Sequence, residues 1–111
     1  MELNVERFGN VAVVTVDADN LDAGNARQFR EKLTQALEKE SKVAMDFQRL
    51  RFVDSSGLGA LLSCLRQLHA RGGDLRLFGM TRPVRSLFEL VRMYRVFEIF
   101  NTREEAVRSF G

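Results

Sequence analysis

Hydrophobic residues change their spacing several times along this chain, and each change predicts a new element of structure. An almost continuous apolar run covers residues 11–16, and Leu3 and Val5 precede it in an alternating pattern. The Gly9-Asn10 pair between these segments favours a tight hairpin that joins two strands. Since the second segment shows almost no polar alternation, we expect its strand to be buried on both faces.

Helical spacing begins after Leu21-Asp22 and returns in the middle of the chain. In the first helix the apolar positions are Ala26, Phe29, Leu33, Ala36 and Leu37. Asp22 is placed to cap its N-terminus. In the second helix they are Leu58, Leu61, Leu62, Leu65 and Leu68. This helix is expected to stop at Gly72-Gly73, and its leucine stripe is interpreted as core that packs on a sheet, not as a ligand site.

The remaining segments continue an alternation of strands and helices. Short apolar runs predict strands at 43–47, 75–78 and 96–100. Thr81-Arg82-Pro83 opens a third helix, because proline is tolerated in a first turn. Thr102 and Glu105 have the spacing of a capping box for a fourth helix that carries Ala106 and Phe110. This order predicts one α/β domain over residues 1–111, a sandwich in which about four helices cover a mixed, mostly parallel sheet of about five strands.

Composition narrows the class of function. The chain has 45% hydrophobic and 29% charged residues, and its net charge of +2 is spread without a basic block or an aromatic ladder. We therefore expect no direct contact with nucleic acid. Cys64 is the only cysteine and no secretory leader pattern is present, which favours a cytoplasmic location. No apolar run approaches the roughly 20 residues that span a bilayer, so no membrane insertion is expected.

Candidate chemistry lies where the strand ending at Val53 gives way to the second helix. Ser55 and Ser56 occupy this junction, and a phosphate on Ser56 would meet the free amides and the positive dipole end of the helix. Gly57 and Gly59 are expected to leave room for the backbone of a partner. The plainer interpretation is that serine is simply a favoured helix cap, and for Ser55 a cap or contact role is preferred.

An enzyme is not predicted. The Gly-x-Ser-x-Gly pattern of hydrolases would need glycine where Asp54 stands. The only histidine, His69, is 13 residues beyond Ser56 on the same helix, which places it about 20 Å away. Cys64 and His69 lack the spacing of a metal site, and no glycine-rich phosphate loop occurs. We therefore expect no catalytic residue, no metal and no cofactor.

The run Val53-Asp54-Ser55-Ser56-Gly57-Leu58-Gly59 resembles the motif of STAS domains, most closely the small bacterial anti-sigma-factor antagonists. Leu21-Asp22, Met45-Asp46-Phe47 and Leu87-Phe88-Glu89-Leu90 extend the resemblance over nearly the whole chain. The resemblance implies that the unphosphorylated protein binds an anti-sigma factor that is also a serine kinase, which releases the sigma factor. It also implies that the kinase ends this binding by phosphorylating the hydroxyl before the first glycine, Ser56, and that a metal-dependent Ser/Thr phosphatase restores it.

The predicted partner-binding residues surround Ser56, and they are Asp22, Asp54, Ser55, Gly57, Leu58 and Gly59. For Asp22, partner contact and helix capping are equally supported. For Asp54, accepting hydrogen bonds from nearby amides is preferred over positioning the hydroxyl for phosphate transfer.

Two other functions stay open at this stage. One is a non-switching subunit of a larger assembly such as a lipid transport complex, and the other is a small-molecule or nucleotide sensor. The sequence departs from the family at Asn20, where an acidic residue or glycine is common, and at Arg92-Met93-Tyr94, where relatives often have glycine. These differences bear on which partner binds more than on how binding is regulated.

Overall fold

The structure is a computed structural model that describes residues 1–111. Its strands are β1 (Glu2–Phe8), β2 (Val11–Asp17), β3 (Asn20–Leu21), β4 (Lys42–Asp46), β5 (Phe52–Val53), β6 (Asp74–Phe78) and β7 (Ile99–Phe100). Its α-helices are α1 (Ala26–Ala36), α2 (Ser55–Ala70), α3 (Arg82–Leu90) and α4 (Arg103–Arg108). A single turn of 3₁₀ helix, Met93–Arg95, follows α3.

Five strands form one mixed sheet in the order β1-β2-β4-β6-β7. The β1–β2 pair is the predicted antiparallel hairpin, with Phe8 opposite Val11 across the two-residue loop. Gly9 supports that loop with a φ of +65°, a conformation that glycine adopts without strain. The other three pairs are parallel, so their carboxyl ends meet at one edge of the sheet.

The two faces of the sheet bury different helices. Residues Ala12, Val14 and Val16 of β2 belong to the large core shared with α1, α2 and α3, whereas Val11 and Val13 point to the other face. There a smaller cluster includes Ala106 of α4. The β2 strand is therefore buried on both sides, as its apolar run predicted.

Helix boundaries follow the sequence closely where caps define them. Thr81 is the N-cap of α3 with Pro83 in the first turn, and both bonds of the Thr102–Glu105 capping box are present. The second helix ends at Ala70, and Gly72 follows with a φ of +78°. The expected fold, a mixed sheet of about five strands with four helices, is confirmed, and β3 and β5 form a separate two-stranded sheet.

The predicted strand at 96–100 is only partly correct. Residues 93–95 form the 3₁₀ turn, and only Ile99 and Phe100 pair with β6. Phe97 is nevertheless fully buried and contacts the ring of Phe88. The apolar run at 96–100 therefore includes an aromatic side chain that is buried from a turn. A short apolar run does not by itself distinguish such a turn from a buried strand.

Candidate partner-binding site

A second, two-stranded sheet positions the candidate site. Asn20 and Leu21 of β3 pair in parallel with Phe52 and Val53 of β5. Leu21 and Val53 are buried, which fixes both strands against the core. Because the strands run in the same direction, the residues that follow them, Asp22 and Asp54, emerge at the same end. The sequence did not predict this pairing, since two-residue strands carry no measurable periodicity.

Asp54 connects the two loops and begins α2. One carboxylate oxygen accepts the Gly57 amide at 3.0 Å as the helix N-cap, and the other accepts the Ala23 amide at 3.1 Å. The hydrogen bond from Gly57 is the main reason that the pKa of Asp54 lies below its ordinary value; partial burial opposes it and the Ala23 amide adds to it. Asp54 therefore accepts amide hydrogen bonds that shape the loop, the interpretation preferred from the sequence.

Gly57 has an internal role that differs from the expected one. It is buried, and a Cβ at this position would lie 2.3 Å from the backbone oxygen of Leu21. Glycine thus lets the first turn of α2 approach β3 closely. The expectation that Gly57 leaves room for a partner is wrong, because the space is already filled by the chain itself. At Gly59 a Cβ would meet nothing within 4 Å, and that residue is exposed.

Asp22 does not cap α1. The N-cap of that helix is Asn25, and Asp22 lies in the turn before it. Its carboxylate accepts the Gly24 amide at 2.9 Å and the Asn20 side-chain amide at 2.7 Å. The Asn25 side chain in turn bonds the amide of Asp22 and the carbonyl of Asn20. Asp22 therefore forms hydrogen bonds within the turn instead of capping the helix. Asn20 and Asn25 stabilise this loop through their side chains, a role that the sequence pattern did not predict.

The surface of the site is formed by the first turn of α2. Ser55 and Ser56 are exposed, and Leu58 is half-buried against the core. The Asp54 carboxylate already occupies this helix end, so a phosphate on Ser56 would share the positive dipole with a second negative group. The helix would therefore offset less of the phosphate charge than the sequence alone indicated.

Phe52 is a further candidate that the sequence analysis left unassigned. This residue is 55% exposed, and its side chain points away from that of the buried Val53 because successive strand residues face opposite sides. It lies two residues before Asp54 on the strand that leads into the site. A large exposed aromatic group beside a candidate interface is the type of residue that anchors protein partners.

The groups considered for other chemistry lie elsewhere. Cys64 is buried on α2, and burial raises the pKa of its thiol to about 11, which keeps it protonated and unreactive at neutral pH. His69 contacts the Asp74 carboxylate at 3.0 Å near the other end of α2. No group of three or more metal-ligating side chains is present. None of the helices combines the length and apolarity needed to cross a membrane.

Comparison with known proteins gives consistent matches over almost the entire chain. The family model described as STAS domain matches residues 2–106. BtrV of Bordetella bronchiseptica is 28% identical, with 99% of this chain and 95% of the relative covered. The anti-sigma-B factor antagonist of Listeria monocytogenes is 32% identical, with 79% of this chain and 78% of the relative covered.

Solved structures show the same likeness. The unphosphorylated form of the anti-sigma factor antagonist SpoIIAA matches with a TM-score of 0.79 and 27% identity, covering 98% of this chain and 96% of its own. The phosphorylated form of SpoIIAA from Bacillus matches with a TM-score of 0.71 and 26% identity, covering 99% of this chain and 100% of its own.

Proposed function

Because the chain belongs to the STAS domain family, we propose that it is an anti-sigma factor antagonist whose binding is switched off by phosphorylation of Ser56. In this proposal the unphosphorylated protein binds, in the cytoplasm, an anti-sigma factor that is also a serine kinase, and this binding frees a sigma factor. A metal-dependent Ser/Thr phosphatase restores the unphosphorylated form. The protein is a binding module and catalyses no reaction itself.

The observation that carries the proposal is the exposed Ser56 hydroxyl in the first turn of α2, beside a loop pair held together by Asp54. An exposed hydroxyl on an ordered backbone is accessible to a kinase. Both serines are exposed, so the choice of Ser56 over Ser55 depends on its place in the motif, directly before the first glycine. The relatives named as anti-sigma factor antagonists support the general role, and the structure of SpoIIAA in a phosphorylated form supports regulation by phosphorylation.

Charge explains how one modification would release the partner. A phosphate adds about −1.5 to −2 charges at neutral pH, beside a carboxylate that is already present at Asp54. An interface formed with the bare serine has no compensating group for it, and burying an unpaired charge costs several kcal/mol. A loss of about 4 kcal/mol would weaken binding roughly a thousandfold.

The proposal predicts distinct effects for three variants. Ser56→Ala should bind the anti-sigma kinase as tightly as the parent and resist release by ATP. Ser56→Asp should bind at least tenfold more weakly, because a carboxylate enters the interface without a partner. Ser55→Ala is the matched control, because Ser55 is the neighbouring exposed serine; this variant should still be phosphorylated and released.

The measurement is isothermal titration with the purified kinase, together with intact-mass analysis after incubation with Mg²⁺-ATP. We expect the parent and Ser55→Ala to gain the mass of one phosphate, and Ser56→Ala to gain none. An unmodified chain, or Ser56 variants that both bind with the affinity of the parent, would contradict the switch.

A further inference from the structure

The end of α3 and the 3₁₀ turn after it form an exposed apolar surface that the proposed switch does not use. Its residues are Leu90, Val91, Tyr94 and Val96, and we call it the α3-end surface. Leu90 and Tyr94 are 80% and 52% exposed. Single exposed apolar residues are ordinary, but four within one short segment mark a candidate interaction site.

Arg92, in the middle of this segment, adopts a backbone conformation that favours glycine. Its φ of +59° makes it the only residue other than glycine with a positive φ. A side chain in this left-handed region is unfavourable, and glycine is the usual residue directly after a helix. The Arg92 guanidinium forms no hydrogen bond and no ion pair within the chain, so nothing internal compensates for the strain. A strained residue of this kind suggests a function outside the fold.

The charge of the surface is positive. The arginines at 85, 92 and 95 are all exposed, and none has a carboxylate within 4.0 Å. Arg85 donates a hydrogen bond to the side-chain oxygen of Asn101 at 3.0 Å, whereas Arg92 and Arg95 have no side-chain partner. Glu89 is the single acidic residue between them. Unpaired guanidinium groups next to apolar side chains suit a ligand that presents carboxylates beside an apolar group.

A cleft next to the surface could accept that apolar group. It has a volume of about 500 Å³, and its lining residues are Met80, Arg85, Phe88, Glu89, Tyr94 and Ile99. Four of these are hydrophobic, and Tyr94 is shared with the exposed surface. A cleft that combines apolar and charged lining residues, bordered by open contact area, is an arrangement in which an apolar side chain of a partner can act as an anchor.

We propose that the α3-end surface docks an acidic amphipathic segment of a protein partner. One apolar side chain of the segment enters the cleft, and its carboxylates contact Arg92 and Arg95. A flat anionic membrane fits less well, because a lipid surface presents no single side chain that fills a cleft.

This docking surface is separate from the Ser56 site. The N-cap of α3, Thr81, donates its hydroxyl to the Leu50 carbonyl at 2.6 Å, close to the strand that leads to the site. The exposed apolar residues lie at the opposite end of this helix, about 13 Å away along its axis. The inference therefore does not depend on the proposed switch, and binding here should be unaffected by Ser56→Asp.

The test is selection of displayed random 16-residue peptides on the full chain, followed by affinity measurement of the enriched peptides. We expect enriched sequences with excess Asp and Glu around one or two large apolar residues. Their affinity should fall at least tenfold in Arg92→Glu/Arg95→Glu and in Leu90→Ser/Tyr94→Ser. Arg66→Glu, an exposed and unpaired arginine on α2, is the charge control and should bind as the parent does.

Arg92→Gly separates binding from folding. It should raise the thermal unfolding midpoint, since glycine removes the strain at φ +59°, and yet weaken binding of the acidic peptides. Neutral or basic enriched peptides, no enrichment, or equal binding to the surface variants would overturn the proposal. Two further results would also overturn it. If the parent binds phosphatidylglycerol vesicles and the surface variants do not, the surface contacts a membrane. If the parent sediments as a dimer and Leu90→Ser/Tyr94→Ser as a monomer, the surface contacts a second copy of the chain.

Discussion

At the scale of single residues, Gly57 and Gly59 show how differently two glycines of one motif can act. Gly57 is the point at which α2 touches the backbone of β3, whereas Gly59 faces open space on the same helix. Sequence spacing treats them as equivalent. Only the approach of Leu21, which comes from a distant part of the chain, distinguishes them.

Alanine substitutions at these two positions should therefore have opposite effects on stability. Gly57→Ala should lower the free energy of unfolding by about 2 kcal/mol or more, because its Cβ would meet the Leu21 carbonyl oxygen at 2.3 Å. Gly59→Ala should raise it by about 1 kcal/mol, because alanine is the better helix former. Urea denaturation monitored by circular dichroism measures both. Equal effects would show that the close contact with β3 does not control the substitution.

Asp54 links the charge of the site to stability. Its folded-state pKa lies below the ordinary unfolded value of about 3.9, so the ionised form stabilises the fold. This contribution is complete above the unfolded value, and it is lost as the pH falls through the lower folded value.

Asp54→Asn should consequently be less stable than the parent at pH 7, because the amide can retain one backbone hydrogen bond but not both. The difference in unfolding midpoint should shrink as the pH falls below about 4. Asp19→Asn, with an exposed carboxylate in a nearby loop, is the control. If the difference in unfolding midpoint between the parent and Asp54→Asn stayed constant from pH 7 to pH 2, the ionised Asp54 carboxylate would not be the source of the stabilisation.

At the scale of elements, the short β3–β5 pair determines the geometry of the candidate interface. It brings the loop at Asp22 to the start of α2, and it turns Phe52 outward while Val53 anchors the strand. Neither strand is long enough to show a pattern by itself. The arrangement arises because parallel pairing aligns two loops that are 31 residues apart along the chain.

The exposed Phe52 should accordingly contribute to binding of the anti-sigma kinase. Phe52→Ala is expected to weaken binding at least tenfold, since truncation of an aromatic hot spot costs about 2 kcal/mol or more. Phe8→Ala is the matched control, because Phe8 is also partly exposed but lies at the amino edge of the parallel strands. The affinity is measured by titration calorimetry with the unphosphorylated protein. Unchanged binding of Phe52→Ala would place the interface elsewhere without contradicting the switch at Ser56.

At the scale of the whole molecule, the core is independent of the candidate site. The five-stranded sheet and its three large helices bury their apolar faces together, and Ser56 contributes no side chain to that core. A charge added at the surface therefore has no packed element to displace. We expect release of the partner to occur by repulsion at the interface and not by refolding.

Phosphorylation of Ser56 should then shift backbone amide NMR signals only locally, at residues 20–25 and 52–60. Signals of β2, β4 and α4 should stay within the range seen for Ser55→Ala without phosphate. Widespread shifts across the sheet would show that the modification acts through a change in conformation instead.

The sequence by itself determined the class of fold, most element boundaries and the candidate serine. These features depend on local chemistry: the period of apolar residues, the caps at Thr81 and Thr102, the stop at Gly72-Gly73, and a motif that is contiguous in the chain. Tertiary structure alone decided the link from Asp54 to the loop at Ala23, the close approach of Gly57 to Leu21 and the exposure of Phe52. Each of these depends on contacts, or on the absence of contacts, between segments far apart in sequence, and no local pattern encodes such distances.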